Sequence, residues 1–241
     1  DPNNIRQDIG FYASHDRQTI EQAFYKAVNE GEPYDLELQL ITAKGRHLWV
    51  RTVGKPVRED DNIARVVGNI VDITEPKKAE EMILRLTRLY SVLSKTNEAI
   101  VRAHDPEELY RQVCIIAVED GLFRMAWIGL VDPDTSLVNP VAVCGHEDGY
   151  LKEKRISTDE KIPEGRGPTG RAVREGGYYL CNDIENDAAM APWRDEALKR
   201  GYRSSAAFAL KAGRHIVGTM NLYTGVPYYF QEEGEELLLL K

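Results

Sequence analysis

From Lys77 to Ala103 no glycine interrupts the chain, and Ala79, Ile83, Leu86, Tyr90, Leu93, Asn97 and Ile100 step by 4, 3, 4, 3, 4 and 3. A strict 3.5-residue apolar repeat held over several turns belongs to one long helix with a narrow seam, not to a helix wrapped in a single core. Thr74 is placed to cap it and Pro76 fits its first turn. Asn97 is the polar member of the seam, and a buried Asn there fixes register and strand number at some cost in stability. The repeat is read as a dimer seam; the alternative is an amphipathic helix packed on one of its own domains. Either way the helix divides the chain into an N-terminal and a C-terminal part.

Before the helix, Asp16 opens a helical pattern with Ile20, Ala23, Phe24, Ala27 and Val28 on one stripe, stopped at Gly31. The period then falls to two: Tyr34, Leu36, Leu38 and Leu40 alternate with Asp35, Glu37 and Gln39. Lys44-Gly45 turns the chain into a second strand, His47 to Val57, and Asp60-Asp61-Asn62 into a third, Ala64 to Ile73. One helix and three strands leave a sheet edge without a partner.

After it, Asp105-Pro106 starts a helix with Leu109, Val113, Ile116 and Ala117 inward. Strands come next at Met125 to Val131 and Leu137 to Cys144, around the Asp132-Pro133-Asp134 turn. A glycine-rich stretch from Gly145 to Gly167 precedes a helix at Thr169 to Glu175 and a strand at Tyr178 to Cys181. The pattern ends with a helix from Pro192 to Arg200, strands at Ser204 to Leu210 and His215 to Tyr223, and a closing helix from Gln231.

The series EGEPYDLELQL, KGRHLWV and VVGNIVDITE resembles the C-terminal half of a PAS domain with its PAC segment, over roughly residues 11 to 76. The segments LTRLYSVLSKTNEAIVRA, GRGPTGRAVREGGYYLCNDI, MAPWRDEALKRGYRSSAAFAL and GTMNLY are similar to a GAF domain of bacterial sensor proteins, from about residue 86 to the end. The resemblance implies an α+β chain in three parts. Residues 1–76 are the PAS part, 77–103 the signalling helix with Ile83, Leu86, Tyr90, Leu93, Asn97 and Ile100 as seam, and 104–241 the GAF domain. It further implies a five-stranded PAS sheet whose first two strands have no counterpart here, and a six-stranded GAF sheet with a small-molecule pocket in front. Trp127, Asp183, Trp193, Tyr202 and Asn221 would line that pocket, each with a plainer alternative such as a turn role for Asp183. Trp49 is read as a strand aromatic, not a ligand residue.

Composition narrows the chemistry. With 31 Lys and Arg against 39 Asp and Glu, the net charge of −8 argues against nucleic acid or anionic membrane as partner. No apolar run is long enough to span a bilayer. Cys114, Cys144 and Cys181 show no CxxC spacing, which suits a reducing cytoplasm. The chain begins at Asp1 without Met and stops in a helical pattern, so it reads as a piece of something longer.

Gly165, Gly167 and Gly170 spell GxGxxG, but no apolar strand leads into them, so a nucleotide site is not expected. The five His residues are scattered, and Cys144 with His146 is too small a set for zinc. Nothing in the motifs supports haem, a bilin or any other named cofactor, nor a catalytic triad.

The expectation is a cytoplasmic bacterial sensory input module. It would be a homodimer through the helix, binding a small-molecule signal in the GAF pocket. An output domain absent from this chain, for cyclic di-GMP turnover or a histidine kinase, would come after it. Two rivals stand beside it: a cysteine-dependent GAF reductase, and a ligand-free dimerisation scaffold.

Overall fold

The structure, a computed structural model, describes residues 9–59, 62–153 and 155–230. The turn at Asp60-Asp61 and the closing helix from Gln231 lie outside the described residues. The chain divides into two compact units, Asp1–Leu86 and Thr87–Lys241.

In the first unit, helix α1 (Arg17–Asn29) is followed by strands β1 (Tyr34–Ile41), β2 (His47–Glu59) and β3 (Asn62–Asp72), an antiparallel sheet in the order β1-β2-β3. The alternation read from the sequence is the register seen. Leu36, Leu38 and Leu40 pair with Thr52, Val50 and Leu48, and that face closes on Tyr12 and Ile20. Asp16 precedes α1 but makes no cap bond to it; its Oδ2 accepts from Gln39 N at 2.7 Å, tying the helix start to β1. Pro56 is tolerated in the middle strand because β1 stops pairing at Gly54, so one side of β2 is already open there. Where the family pattern has five strands, three are found among the described residues.

Helix α2 (Thr74–Arg102) starts on a tight junction. The Thr74 hydroxyl accepts from Trp49 N at 2.9 Å, while Ile73 N donates to Trp49 O at 2.8 Å and Thr74 N to Asp72 Oδ1 at 2.9 Å. Thr74 is therefore spent on β2 instead of acting as an N-cap. Trp49 is a half-buried strand aromatic with the Lys77 ammonium 5.6 Å over its ring, and Lys77 also pairs with Glu37 at 2.6 Å.

The second unit holds the rest of α2, helix α3 (Pro106–Glu119), and strands β4 (Met125–Val131) and β5 (Val138–Gly145). Helices α4 (Tyr150–Glu153) and α5 (Pro168–Glu175), strand β6 (Tyr178–Cys181) and helix α6 (Arg194–Lys199) come next, and β7 (Ser204–Ala212) and β8 (His215–Thr224) complete it. Asp105 caps α3, its carboxylate accepting from Glu108 N at 2.8 Å, as Asp-Pro predicts. The sheet is antiparallel in the order β5-β4-β8-β7-β6. Among the described residues five strands are found here, not the six implied. Beside β5 the sixth is reduced to the single bridge Leu137–Ser157 before the chain turns into the 3-10 segment Pro163–Gly165. Pro140 removes one donor from β5, which a strand at the sheet edge tolerates.

Both faces of this sheet are covered, so its middle strands read as continuous apolar runs. One face, with Ala126, Ile128, Ala206 and Leu222, packs on Cys114, Ala117 and Phe123. The other, with Met125, Trp127, Cys181 and Tyr223, packs on Tyr150, Met190 and Trp193.

Helix α2 carries two stripes. Leu89, Val92, Thr96, Ala99 and Ala103 are half-buried, and Val92 shares an apolar groove with Ala117 and Phe123. Lys95 reinforces that side with an ion pair to Asp120 at 2.6 Å. The seam positions lie on the other side: Ile83, Leu86, Tyr90 and Ile100 are 63%, 50%, 74% and 56% exposed, Asn97 is exposed and Leu93 half-buried. The half-buried stripe is the side on which the helix packs against its own unit.

Replacing Thr74 by Val removes the acceptor for Trp49 N. A net hydrogen bond of about 0.5–1.5 kcal/mol corresponds to roughly 2- to 13-fold faster exchange of the Trp49 amide. Native-state hydrogen exchange reads this directly; an unchanged Trp49 protection factor contradicts the junction.

Candidate functional site

The sheet face bearing Trp127, Asn221 and Tyr223 is closed by loops and short helices in front of it. Strand alternation puts Met125 and Trp127 on this face of β4, and their register partners Tyr223 and Asn221 on the same face of β8. Over them lie Tyr150 from α4, Thr169 from the first turn of α5, Met190 from the 3-10 segment Ala188–Met190, and Trp193 just before α6. Between the covering groups remains a cavity of about 10 Å³, on the scale of one water molecule.

Aromatic rings fill most of the space. Tyr150 stands edge-on to Tyr202 and Tyr223 at 5.4 and 5.6 Å, and Tyr202 is tilted against Tyr223 at 4.9 Å. The Tyr202 hydroxyl donates to the His146 carbonyl. Burial pushes all three phenols up, Tyr223 to about 12, so they are neutral throughout the physiological range. Arg200 lies over the outer side of Tyr150, 5.7 Å from the ring centre, and is held by the Glu147 and Asp148 carbonyls and by Glu196.

A buried polar chain links α5 to β8. The Thr169 hydroxyl donates to Asn221 Oδ1 at 2.8 Å, and Asn221 Nδ2 donates to Thr219 Oγ1 at 2.7 Å. It fixes the start of α5 to β8. The approach is close: a Cβ on Gly170 would lie 2.3 Å from Gly165 O, and one on Gly167 2.4 Å from the Trp193 ring. These glycines serve packing, and Arg166 donates to the Glu160 carbonyl at 2.8 Å.

Of the five residues anticipated for the pocket, Trp193 lines the cavity itself. Trp127, Tyr202 and Asn221 stand immediately behind the lining, fully buried. Asp183 is elsewhere: its carboxylate holds a turn, accepting from Glu185 N, from Asn186 and from the Tyr228 hydroxyl, and those bonds keep it below the usual carboxylate range. Tyr150, Thr169, Met190 and Tyr223 escaped the sequence reading. Tyr223 was within reach, two residues from Asn221 on the same strand face; Tyr150 sits in an aperiodic stretch that gives no such signal.

The cysteines divide between the two faces. Cys181 is on the cavity side, where burial and then the Asp187 carboxylate push its thiol up. Cys114 and Cys144 are on the opposite face, and burial pushes Cys114 to about 12. Among the described residues no group of three or more His, Cys, Asp and Glu gathers as a metal site. No described helix is long and apolar enough to cross a membrane.

Residues 103–240 match the family model of the GAF domain and residues 8–70 that of the PAS fold. The chain belongs to the GAF domain family, with a PAS segment before it. Blue-light-activated histidine kinases of Brucella ovis and Brucella abortus are 29% identical over 128 residues, 47% of this chain and 26% of theirs. The match thus spans about a quarter of those relatives. Among solved structures, free methionine-R-sulfoxide reductase of Neisseria meningitidis with its substrate has a TM-score of 0.52 at 18% identity, covering 63% of this chain and 83% of that one. The A. aeolicus nlh2 GAF domain in an inactive state gives 0.51 at 14%, covering 65% and 90%. At these identities the likeness is one of fold. PAS and GAF sensor domains related to a signal-transduction histidine kinase are therefore present.

The thiol environments predict pH behaviour. Cys114 and Cys181 have folded values above the ordinary thiol value of about 8.5. Their contribution to stability is complete below that value and declines as pH rises from it toward the folded values. Urea midpoints at rising pH should fall from about pH 9 upward, and less steeply for Cys181→Ala. An equal fall in the variant removes Cys181 from the account.

Proposed function

We propose that this chain is the sensory input segment of a cytoplasmic bacterial signalling protein. It takes a small-molecule signal in the cavity of the second unit and works as a dimer through α2. The observation that carries this reading is the double character of α2: one stripe packs on its own GAF unit, while Leu86, Tyr90 and Ile100 present an apolar stripe to solvent at coiled-coil spacing. A helix shared between a ligand-binding core and a second copy is positioned to convert occupancy of one into geometry of the other. The signal acts only through differential affinity for the two helix arrangements. The kinase relatives support a histidine kinase as output; a cyclic di-GMP enzyme is the alternative.

A second reading rests on the cavity. Its small volume favours a GAF unit that serves as a ligand-free scaffold. The cysteine arrangement gives no support to the reductase: the thiol on the cavity side has a carboxylate beside it, and the other two lie across the sheet.

Sedimentation equilibrium tests the dimer, with native mass spectrometry for any retained ligand. Leu86→Asp should make the chain monomeric. Asn97→Leu should tighten the dimer by about tenfold or more, since burying a Leu side chain stabilises by about 1.5–3 kcal/mol, while loosening its register. A wild-type monomer at high concentration, or a dimer indifferent to both substitutions, overturns the seam. A small-molecule mass retained by the folded chain and lost on denaturation decides for the sensor over the scaffold.

A further inference from the structure

The aliphatic face of the second unit's sheet is covered unevenly. On β4, Ala126 and Ile128 are buried against Cys114, Ala117 and Phe123. On the far side of β8, Met220 and its register partner Phe208, with Leu210 beyond it on β7, are half-buried only. These three line an apolar groove of about 420 Å³, together with Phe123 and with Val92 of α2. Parity puts Phe208, Leu210, Met220 and Leu222 on one face, so the groove floor is continuous. Contiguous apolar surface of this kind marks a place where something docks.

The described chain stops at the edge of this groove. Phe230 is fully buried, and its ring stacks on that of Phe123 with 6.1 Å between centroids and 6° between planes. Beyond it the sequence reads QEEGEELLLLK, an acidic stretch and then Leu237, Leu238, Leu239 and Leu240. The distances match. Arg124 N donates to Tyr223 O at 2.8 Å, which sets Phe123 at the Leu222 end of the groove. Leu210 lies level with Gly218, four residues back along β8, or about 13 Å away. Leu237 and Leu240 follow Phe230 by seven and ten residues, about 10 and 15 Å along a helix and more in an extended chain. A segment tethered at the rim also acts at an effective concentration of roughly millimolar, which a free ligand or a second copy has to exceed. We infer that the leucine run at 237–240 of this chain fills the groove, against Phe208, Met220 and Val92. The segment after the last strand then rests directly on the helix that precedes the domain. This contact is independent of whether the cavity on the other face takes a ligand.

The test is a photocrosslink in the full chain with its methionines replaced by the diazirine analogue photo-methionine, since Met220 lines the groove. After irradiation, peptide mass mapping should join the Met220 peptide to residues 231–241. Met125 and Met190, on the other face, should give no such link. Mixing chains of natural and heavy nitrogen separates a link within one chain from a link between copies. Links from Met220 that miss residues 231–241 overturn the proposal. Links between light and heavy chains overturn it too, and make a second copy the occupant. Anilinonaphthalene sulfonate, a dye that brightens on exposed apolar surface, gives a second readout. Replacing the run together, as Leu237→Gln, Leu238→Gln, Leu239→Gln and Leu240→Gln, should raise its fluorescence several-fold. The emission of Trp127 and Trp193, across the sheet, should stay that of the folded chain. Dye fluorescence equal to that of the wild-type chain counts against the docked run. If the variant loses its folded emission, the crosslink decides alone, because it needs no substitution in the segment.

Discussion

Strands β4 and β8 lie side by side in the middle of a sheet covered on both faces, and this double burial sets the terms for the second unit. A strand in that position has no solvent side on which to put a charge, so Met125 to Ile128 are all buried. Polar side chains can enter only if they meet partners, because a buried group without one loses its hydration for nothing. Thr219 and Asn221 meet that requirement by bonding each other and Thr169. The polar chain then acts as a locating pin, since α5 can start in one place only.

That pin dictates the front layer. With α5 fixed, the backbone approaches at Gly165 and Gly170 leave no room for a side chain, and Gly167 must lie flat under Trp193. Trp193 in turn closes the cavity against Met190. The other face obeys a different rule. It is aliphatic and aromatic without a polar chain; α3 rests on it through Ala117, and Ala99 and Ala103 of α2 lie beside α3. One face thus confers position and the other confers contact area.

Periodicity made most of this legible from the residues alone. The two-residue alternation from Tyr34 to Leu40 fixed which face of β1 is inward, and the Asp105-Pro106 pair fixed the start of α3, both as found. What failed were local signals whose side chain had been recruited at long range. Asp16 and Thr74 look like helix caps, but Asp16 reaches Gln39 and Thr74 reaches Trp49. Such bonds span 23 and 25 residues of sequence, beyond any window in which a capping preference is read. The cavity was half legible for a related reason: residues on strands declare their face by parity, whereas Tyr150 and Met190 come from segments without a period. Asp183 was misplaced because a carboxylate after a strand suits a turn as well as a pocket, and the turn offered it four donors.

The two stripes of α2 also constrain how this architecture can change in length. Each residue added to a helix turns everything beyond it by about 100°, so about seven or about eleven residues bring a stripe back to within about 20° of its former direction, whereas one or two turn it far away. Here one rod carries two stripes with different obligations, one toward its own unit and one outward. An insertion of one or two residues before Leu89 would break the outward stripe into two segments facing different ways. The helix is therefore quantised in length: this fold can acquire a longer or shorter connector in steps of whole turns that restore the stripe, and scarcely otherwise.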